Sequence, residues 1–234
     1  MISEELVPVV EAALEPLMRY HDYRVEGLEH VPTTGAALLV LHHSLATYDG
    51  LLLALRIFQA TGRPPTGLGH DRLFDLPGLR RITRGLGIRP ASPEAGRALL
   101  SEGHLVGVAP GGMREALRPS KERYQVRWSR RRGFVKLALE MQVPMVLAAC
   151  PRADDLFDVE PHPLTDWVYD TFRFPVPLAR GRRGLPVPRK VPLAHYVAPP
   201  LHPPPLDRAR FDAQVEALHA EAVRTMEALL DRRD

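Results

Sequence analysis

The segment Leu38-Leu39-Val40-Leu41-His42-His43-Ser44-Leu45-Ala46-Thr47-Tyr48-Asp49-Gly50 holds two adjacent histidines and, six residues past the second, an aspartate. Histidine is the side chain most readily used as a base near neutral pH. A carboxylate bonded to one ring nitrogen fixes the tautomer and stabilises the imidazolium that forms when the other nitrogen takes a proton. Such a pair can deprotonate a substrate hydroxyl directly, with no serine or cysteine nucleophile. The same residues are equally accounted for if Asp49 only caps a helix and the histidines only end a strand. A second loaded segment is Pro110-Gly111-Gly112-Met113-Arg114-Glu115-Ala116-Leu117. Its glycines let backbone N–H groups approach a substrate or adopt positive φ. Arg114 can bind a phosphate or carboxylate, or anchor the turn through Glu115; taken alone, a tight turn with a local ion pair explains the segment.

Positioning these groups falls to short apolar strands and the helices between them. The run Ala36 to Leu41 is bounded by Gly35 and the histidines and has no polar member, which predicts a strand buried on both faces. Asp49 precedes Gly50-Leu51-Leu52-Leu53-Ala54-Leu55-Arg56-Ile57-Phe58, at the place of an N-cap. Strand, loop and helix would then fold His43 and Asp49 back on each other. Leu105 to Ala109 and Pro144 to Cys150 predict further buried strands, and Thr66 to Leu68 a short one. Ser92-Pro93-Glu94 opens a helix that Gly103 closes, and another helix follows Arg130-Arg131-Arg132-Gly133-Phe134 to about Met141. Tyr23 to His30 and Val191 to Val197 read as strands, and Phe211 to Leu230 as a closing amphipathic helix.

At the start, apolar residues from Leu6 to Met18 recur at helical spacing, predicting an amphipathic helix from Glu4 to about Tyr20 with Ser3 as its cap. Pro16 should end or kink it. This helix either packs on the body or lies on a membrane surface. The alternation of strands and helices indicates an α/β fold: a single domain with a mixed, largely parallel sheet flanked by helices. Residues 1–22 form its N-terminal helix, 23–205 the core and 206–234 the C-terminal helix.

With 234 residues, 45% apolar and 25% charged, the chain can bury a sizeable core. Cys150 is the only cysteine, so no intramolecular disulfide can form. Net charge is +3 and the pI about 9.2, carried almost wholly by arginine, a residue suited to phosphates and carboxylates. No apolar run nears the ~20 residues that span a bilayer, and the acidic start differs from a signal peptide. The expected location is cytoplasmic, peripherally at the inner face of the membrane. Phe172, Phe174, Arg180, Arg182 and Arg183 suit an interface with lipid, or a loop packed on the core. The basic charge is too scattered, and the aromatics too few, to favour nucleic acid.

Together the two loaded turns are more specific than either alone. A buried strand ending in His43, five residues, Asp49, and about 60 residues later a strand ending in Pro-Gly-Gly-Met-Arg-Glu-Ala-Leu resemble the glycerolipid acyltransferase superfamily, that of lysophosphatidic acid and glycerol-phosphate acyltransferases. The resemblance runs from about residue 25 to 205. It rests on four ordered blocks: His43 to Asp49, Gly87 to Ser92, Ala109 to Glu115, and Val143 to Leu147. The usual first motif has four residues between His and Asp; here there are five, and a four-residue spacer would place Ser44 at the histidine position. The usual third motif, Phe-Pro-Glu-Gly-Thr-Arg, here carries Gly111 and Met113 at the Glu and Thr positions. Both departures resemble the branch related to the diacylglycerol acyltransferase type.

That resemblance implies transfer of a fatty acyl group from coenzyme A or acyl carrier protein to the hydroxyl of a glycerolipid such as a lysophospholipid or acylglycerol, with a membrane surface as partner. It implies His43 as general base oriented by Asp49, backbone N–H groups near Gly111 and Gly112 at the oxyanion, and Arg114, Glu115 and Arg89 toward the substrate. It implies neither metal nor cofactor, and adjacent histidines cannot easily share one metal. A non-catalytic lipid carrier would not need the His–Asp pair. A thioesterase would use the same pair on water, although the chain has no Gly-x-Ser-x-Gly elbow.

Overall fold

The apolar runs form the middle of a seven-stranded sheet. In the computed structural model, residues 7–75, 77–160 and 178–233 are described; Phe172 and Phe174, and Ser3 to Leu6 at the start, lie outside them. The strands are β1 (Arg24–Glu26), β2 (Ala37–Leu41), β3 (Thr66–Gly69), β4 (Arg89–Pro90), β5 (Leu105–Val108), β6 (Met145–Ala149), β7 (Asp158–Glu160), β8 (Leu178–Arg180) and β9 (Ala194–Val197). The helices are α1 (Val7–Tyr20), α2 (Tyr48–Thr61), α3 (Pro77–Gly85), α4 (Pro93–Ser101), α5 (Gly112–Ala116), α6 (Gly133–Met141) and α7 (Phe211–Leu230).

The main sheet has the order β1-β9-β6-β2-β5-β3-β4. Every neighbouring pair is parallel except β6 and β9. The sheet is therefore mixed and largely parallel, as the sequence predicts. β7 and β8 form a separate antiparallel pair.

Strand β2 lies between β6 and β5, with Leu39 opposite both Val146 and Gly107. Its alternation sends Leu38 and Val40 toward α6 and α7, among Phe134, Leu139 and Met226. Ala37 and Leu39 face the other way, toward Leu53 and Ile57 of α2. A strand covered on both faces needs apolar residues at every position, which explains the unbroken apolar run. Because β2, β3, β5 and β6 run the same way, their C-terminal ends share one edge, where ligand sites of open α/β sheets are built.

Several elements depart from their predicted forms. Pro16 lies inside α1 without ending it. The predicted first strand shortens to three residues, followed by a 3₁₀ turn at Leu28–His30. The last strand begins at Ala194, not Val191. Of the two placements open to the N-terminal helix, the fold shows packing on the body: Leu14 and Met18 are buried with Leu52 and Leu55 of α2. Ser92 caps α4 as predicted, accepting the Ala95 N–H at 3.1 Å.

Leu53 is fully buried between α2 and β2. Leu53→Ala leaves a cavity directly behind the strand that leads to His43, and should lower stability by about 2–5 kcal/mol. The check is a reduced urea midpoint with an unchanged denaturant slope.

Candidate active site

Val40 and Val108 are register partners, so the turns leaving β2 and β5 emerge side by side. Glu115, on the second turn, is completely buried. Its Oε2 accepts the His43 backbone N–H at 3.0 Å, and its Oε1 accepts the Arg127 N–H at 3.0 Å. Arg118, one helical turn on and only 4% exposed, donates from Nη1 to the His43 carbonyl at 3.0 Å and to the Glu115 carbonyl at 2.5 Å. Its Nε and Nη2 donate to the two oxygens of Asp154 at 3.0 and 2.5 Å. Asp154 Oδ2 also accepts the Tyr124 N–H at 2.9 Å. The backbone of His43 is thus held at its N–H by Glu115 and at its carbonyl by Arg118.

The His43 ring faces the carbonyl of Ser44, 2.9 Å from Nδ1. A carbonyl can only accept, so Nδ1 carries the proton and Nε2 keeps its lone pair. Nε2 has no hydrogen-bond partner among the described residues. Burial, with Arg118 nearby, lowers the His43 pKa against the raising effect of the Ser44 carbonyl, so the ring is neutral at neutral pH. His42 points inward: 5% exposed, it receives Arg118 Nη2 on Nδ1 at 3.4 Å, with Nε2 4.0 Å from Glu115 Oε1. Burial first, and Arg118 second, hold His42 neutral.

Asp49 does not occupy its predicted place. It lies within the first turn of α2, whose N-cap is Thr47 with φ +57° and no side-chain cap bond. Among the described residues no hydrogen bond or ion pair joins Asp49 to His43. Instead Asp49 Oδ1 accepts the Ser44 hydroxyl at 2.7 Å, and the hydroxyl oxygen lies 3.4 Å from the Thr47 N–H. The five-residue spacer is the cause: Ser44 stands where a four-residue spacer would put the base, and it takes the carboxylate. His43 and Asp49 are therefore linked through one residue, Ser44, by its carbonyl on one side and its hydroxyl on the other. Burial raises the Asp49 pKa to about 6, against the lowering effect of the Ser44 hydroxyl.

The remaining predicted residues divide. Gly111 has an ordinary helical φ of −65°, but a Cβ there would lie 2.2 Å from Glu115 Oε2, so its bareness makes room for the buried carboxylate. Gly112 takes φ +51°. Its N–H is spent on the Ala109 carbonyl at 3.0 Å, which removes it as an oxyanion donor; the Gly111 N–H has no partner among the described residues. Glu115 cannot contact substrate, because it is fully buried with both oxygens occupied; it positions His43. Arg114 is exposed and makes no hydrogen bond or ion pair among the described residues. Arg89 is partly buried on β4, its Nη1 directed at the Ile88 and Arg84 carbonyls at 3.2 and 3.4 Å. β4 is the last strand of the sheet, separated from β2 by β3 and β5, so Arg89 is not brought against His43.

Ser44, Arg118 and Asp154 are the positioning groups that the sequence reading leaves without a role. Arg118 follows Glu115 at the i,i+3 spacing of one helical turn, a local signal. Nothing local ties either residue to Asp154.

Burial pushes the Glu115 carboxyl up, while the Arg127 N–H, the Arg118 guanidinium and the His43 N–H pull it back. Glu115→Gln replaces one acceptor oxygen with an NH₂ group that faces a buried N–H. The expected loss of stability is about 1–3 kcal/mol, read from a urea melt.

The chain is similar to several known proteins. A human protein described as a DGAT1/2-independent enzyme synthesizing storage lipids is 29% identical, covering 91% of this chain and 62% of its own. Its bovine counterpart is 30% identical over 72% of this chain and 50% of its own. An uncharacterized protein of Mycobacterium leprae is 30% identical over 76% of this chain and 52% of its own. The chain thus spans roughly half to three fifths of the length of these relatives. Among solved structures, the 1-acyl-sn-glycerophosphate acyltransferase PlsC of Thermotoga maritima shares the fold, with a TM-score of 0.61 and 14% identity, covering 98% of this chain and 81% of that one. The Acyltransferase family model matches residues 22–150, which span the sheet strands β1 to β6, both loaded turns and Glu115, and the chain belongs to the acyltransferase family.

Proposed function

We propose that this chain is an O-acyltransferase that moves a fatty acyl group from a thioester, on coenzyme A or acyl carrier protein, to the hydroxyl of a glycerolipid acceptor such as a lysophospholipid or acylglycerol. The observation that carries this reading is His43: its backbone is held on both sides, its Nδ1 proton is fixed on the Ser44 carbonyl, and its Nε2 lone pair is unpaired. A fixed neutral imidazole with one open nitrogen is what a general base on a hydroxyl requires.

In this mechanism His43 Nε2 removes the acceptor's hydroxyl proton as that oxygen attacks the thioester carbonyl. The tetrahedral oxyanion collapses, the carbon–sulfur bond breaks, and the thiolate leaves with the proton from His43. The unpartnered Gly111 N–H is the candidate oxyanion donor, and one such donor is worth roughly 3–4 kcal/mol of barrier in well-studied enzymes. Asp49 acts through Ser44, whose carbonyl it holds over His43 Nδ1 by way of the hydroxyl. Arg114, exposed and without a partner among the described residues, is suited to an anionic head group. Peripheral attachment at the inner face of the membrane belongs to the same reading, since the substrates are lipids. Among the described residues no helix is long and apolar enough to cross a membrane.

The direct test is thiol release from palmitoyl-coenzyme A with a panel of hydroxyl acceptors, beside His43→Ala. Release that needs both an acceptor and His43, with the variant slower by about 10²–10⁴-fold, supports acyl transfer. Release without acceptor would make the protein a thioesterase, and lipid binding with no release from either donor would make it a carrier.

Asp49 also predicts opposite pH trends for stability and activity. Its folded pKa of about 6 lies above its unfolded value near 3.8, so between these values the folded state holds the extra proton and stability falls as pH rises. The slope is at most about 1.4 kcal/mol per pH unit. Activity should rise over that window as Asp49 ionises and holds the Ser44 hydroxyl as a carboxylate. Parallel urea melts and kcat/KM measurements from pH 4.5 to 7.5 check both trends.

A further inference from the structure

Two excursions leave the same edge of the sheet as the site. The first runs from Gly69 at the end of β3 to Arg89, which pairs with Leu68 near that strand's C-terminal end. The second runs from β6 to β9, whose antiparallel pairing with β6 starts at the C-terminal end, Ala149 opposite Tyr196. Both begin and end at the C-terminal edge, on either side of the turns that carry His43 and Gly111.

Each excursion presents exposed apolar side chains among exposed arginines. Five large apolar side chains stand exposed among the described residues, and three of them, Ile82 at 61%, Leu185 at 57% and Val187 at 46%, are on these two segments. Ile82 lies on α3 between the exposed Arg80, Arg81 and Arg84. Leu185 and Val187 follow the exposed Arg182 and Arg183. None of these five arginines has an ion-pair partner among the described residues, whereas Arg97, Arg127, Arg132 and Arg232 are each paired with a carboxylate.

The second segment is not a loose tether. Gly181 N–H donates to the Leu185 carbonyl at 2.8 Å, and Arg182 N–H to the Val187 carbonyl at 2.7 Å, closing the loop that displays Arg183 and Leu185. Beneath it Arg189 is ion-paired with Asp158.

We propose that α3 and the loop 181–187 together form the surface on which this protein docks to an anionic lipid bilayer. Arginines without an ion-pair partner among the described residues supply the attraction to lipid phosphates, and the apolar side chains enter the headgroup boundary. The surface opens on the sheet edge that holds His43, so docking there would present the site to lipid acceptors. The inference rests on the proposed function only for that last consequence.

The test is sedimentation of the full chain with vesicles of phosphatidylcholine alone and of phosphatidylcholine mixed with phosphatidylglycerol. Ile82→Glu and the double variant Arg182→Glu/Arg183→Glu are compared with Val9→Glu, which alters the exposed apolar residue of α1. The expected result is binding to the anionic vesicles only, weakened by salt, reduced about tenfold or more by either α3 or loop variant, and unchanged by Val9→Glu. All four positions are exposed, so thermal midpoints should match the parent chain and confirm folding. Absence of anionic-vesicle binding by the parent chain, full binding by the α3 and loop variants, or loss with Val9→Glu alone would overturn the proposal. Transfer from a soluble short-chain acyl thioester to a soluble acceptor keeps the two readings apart. Docking variants should retain it, and a chain that binds vesicles but lacks it would lose the proposed function while keeping the docking surface.

Discussion

A buried carboxylate holding a backbone N–H across two strands organises this molecule. Glu115 accepts the His43 N–H and the Arg127 N–H, joining the turn after β2 to the turn after β5 and to the segment that follows it. Backbone donors of an irregular turn need partners once water is excluded, and here one side chain supplies them. Gly111 lacks a side chain because that carboxylate occupies the space. Arg118 completes the grip on the His43 carbonyl and is itself held by Asp154. Removing one member of such a set leaves a charge or a donor uncompensated in the interior, where the cost is largest.

The grip fixes the orientation of the acid–base groups while burial works against their charged forms. Burial lowers His42 and His43 and raises Asp49 and Glu115, all toward their uncharged forms. The ring of His43 is oriented by a peptide carbonyl, not by a carboxylate in direct contact. His43 and Asp49 are separated by Ser44, which contacts both.

Much of the framework is legible residue by residue. The unbroken run Ala37–Leu41 requires a strand covered on both faces, and the sheet places β2 between β6 and β5 with helices on either side. Ser92-Pro93-Glu94 marks a helix start because cap, ring-fixed φ and acidic first turn are all local effects. Asp49 is misplaced by the same local reasoning: an aspartate before an apolar helix suits a cap, but the backbone enters that helix through Thr47 at positive φ. Pro16 deviates for a related reason. Local propensity predicts an end or a kink; the helix does not end there, and the packing of Leu14 and Met18 on α2 carries it past the proline.

By itself the sequence determined which residue types stand at the strand ends, the α/β alternation that brings those ends to one edge, and the presence of a histidine and an aspartate where one strand hands over to the next helix. These follow from periodicity and short-range sterics, which act within a few residues. The tertiary structure alone decided the partners: Ser44 rather than His43 on Asp49, Glu115 on the backbone of His43 rather than on a substrate, and Arg118 on Asp154, 36 positions away. A hydrogen bond depends on tenths of an ångström and on direction. Residue spacing along the chain carries neither, so a partner can be assigned only once the strands have set the turns beside each other.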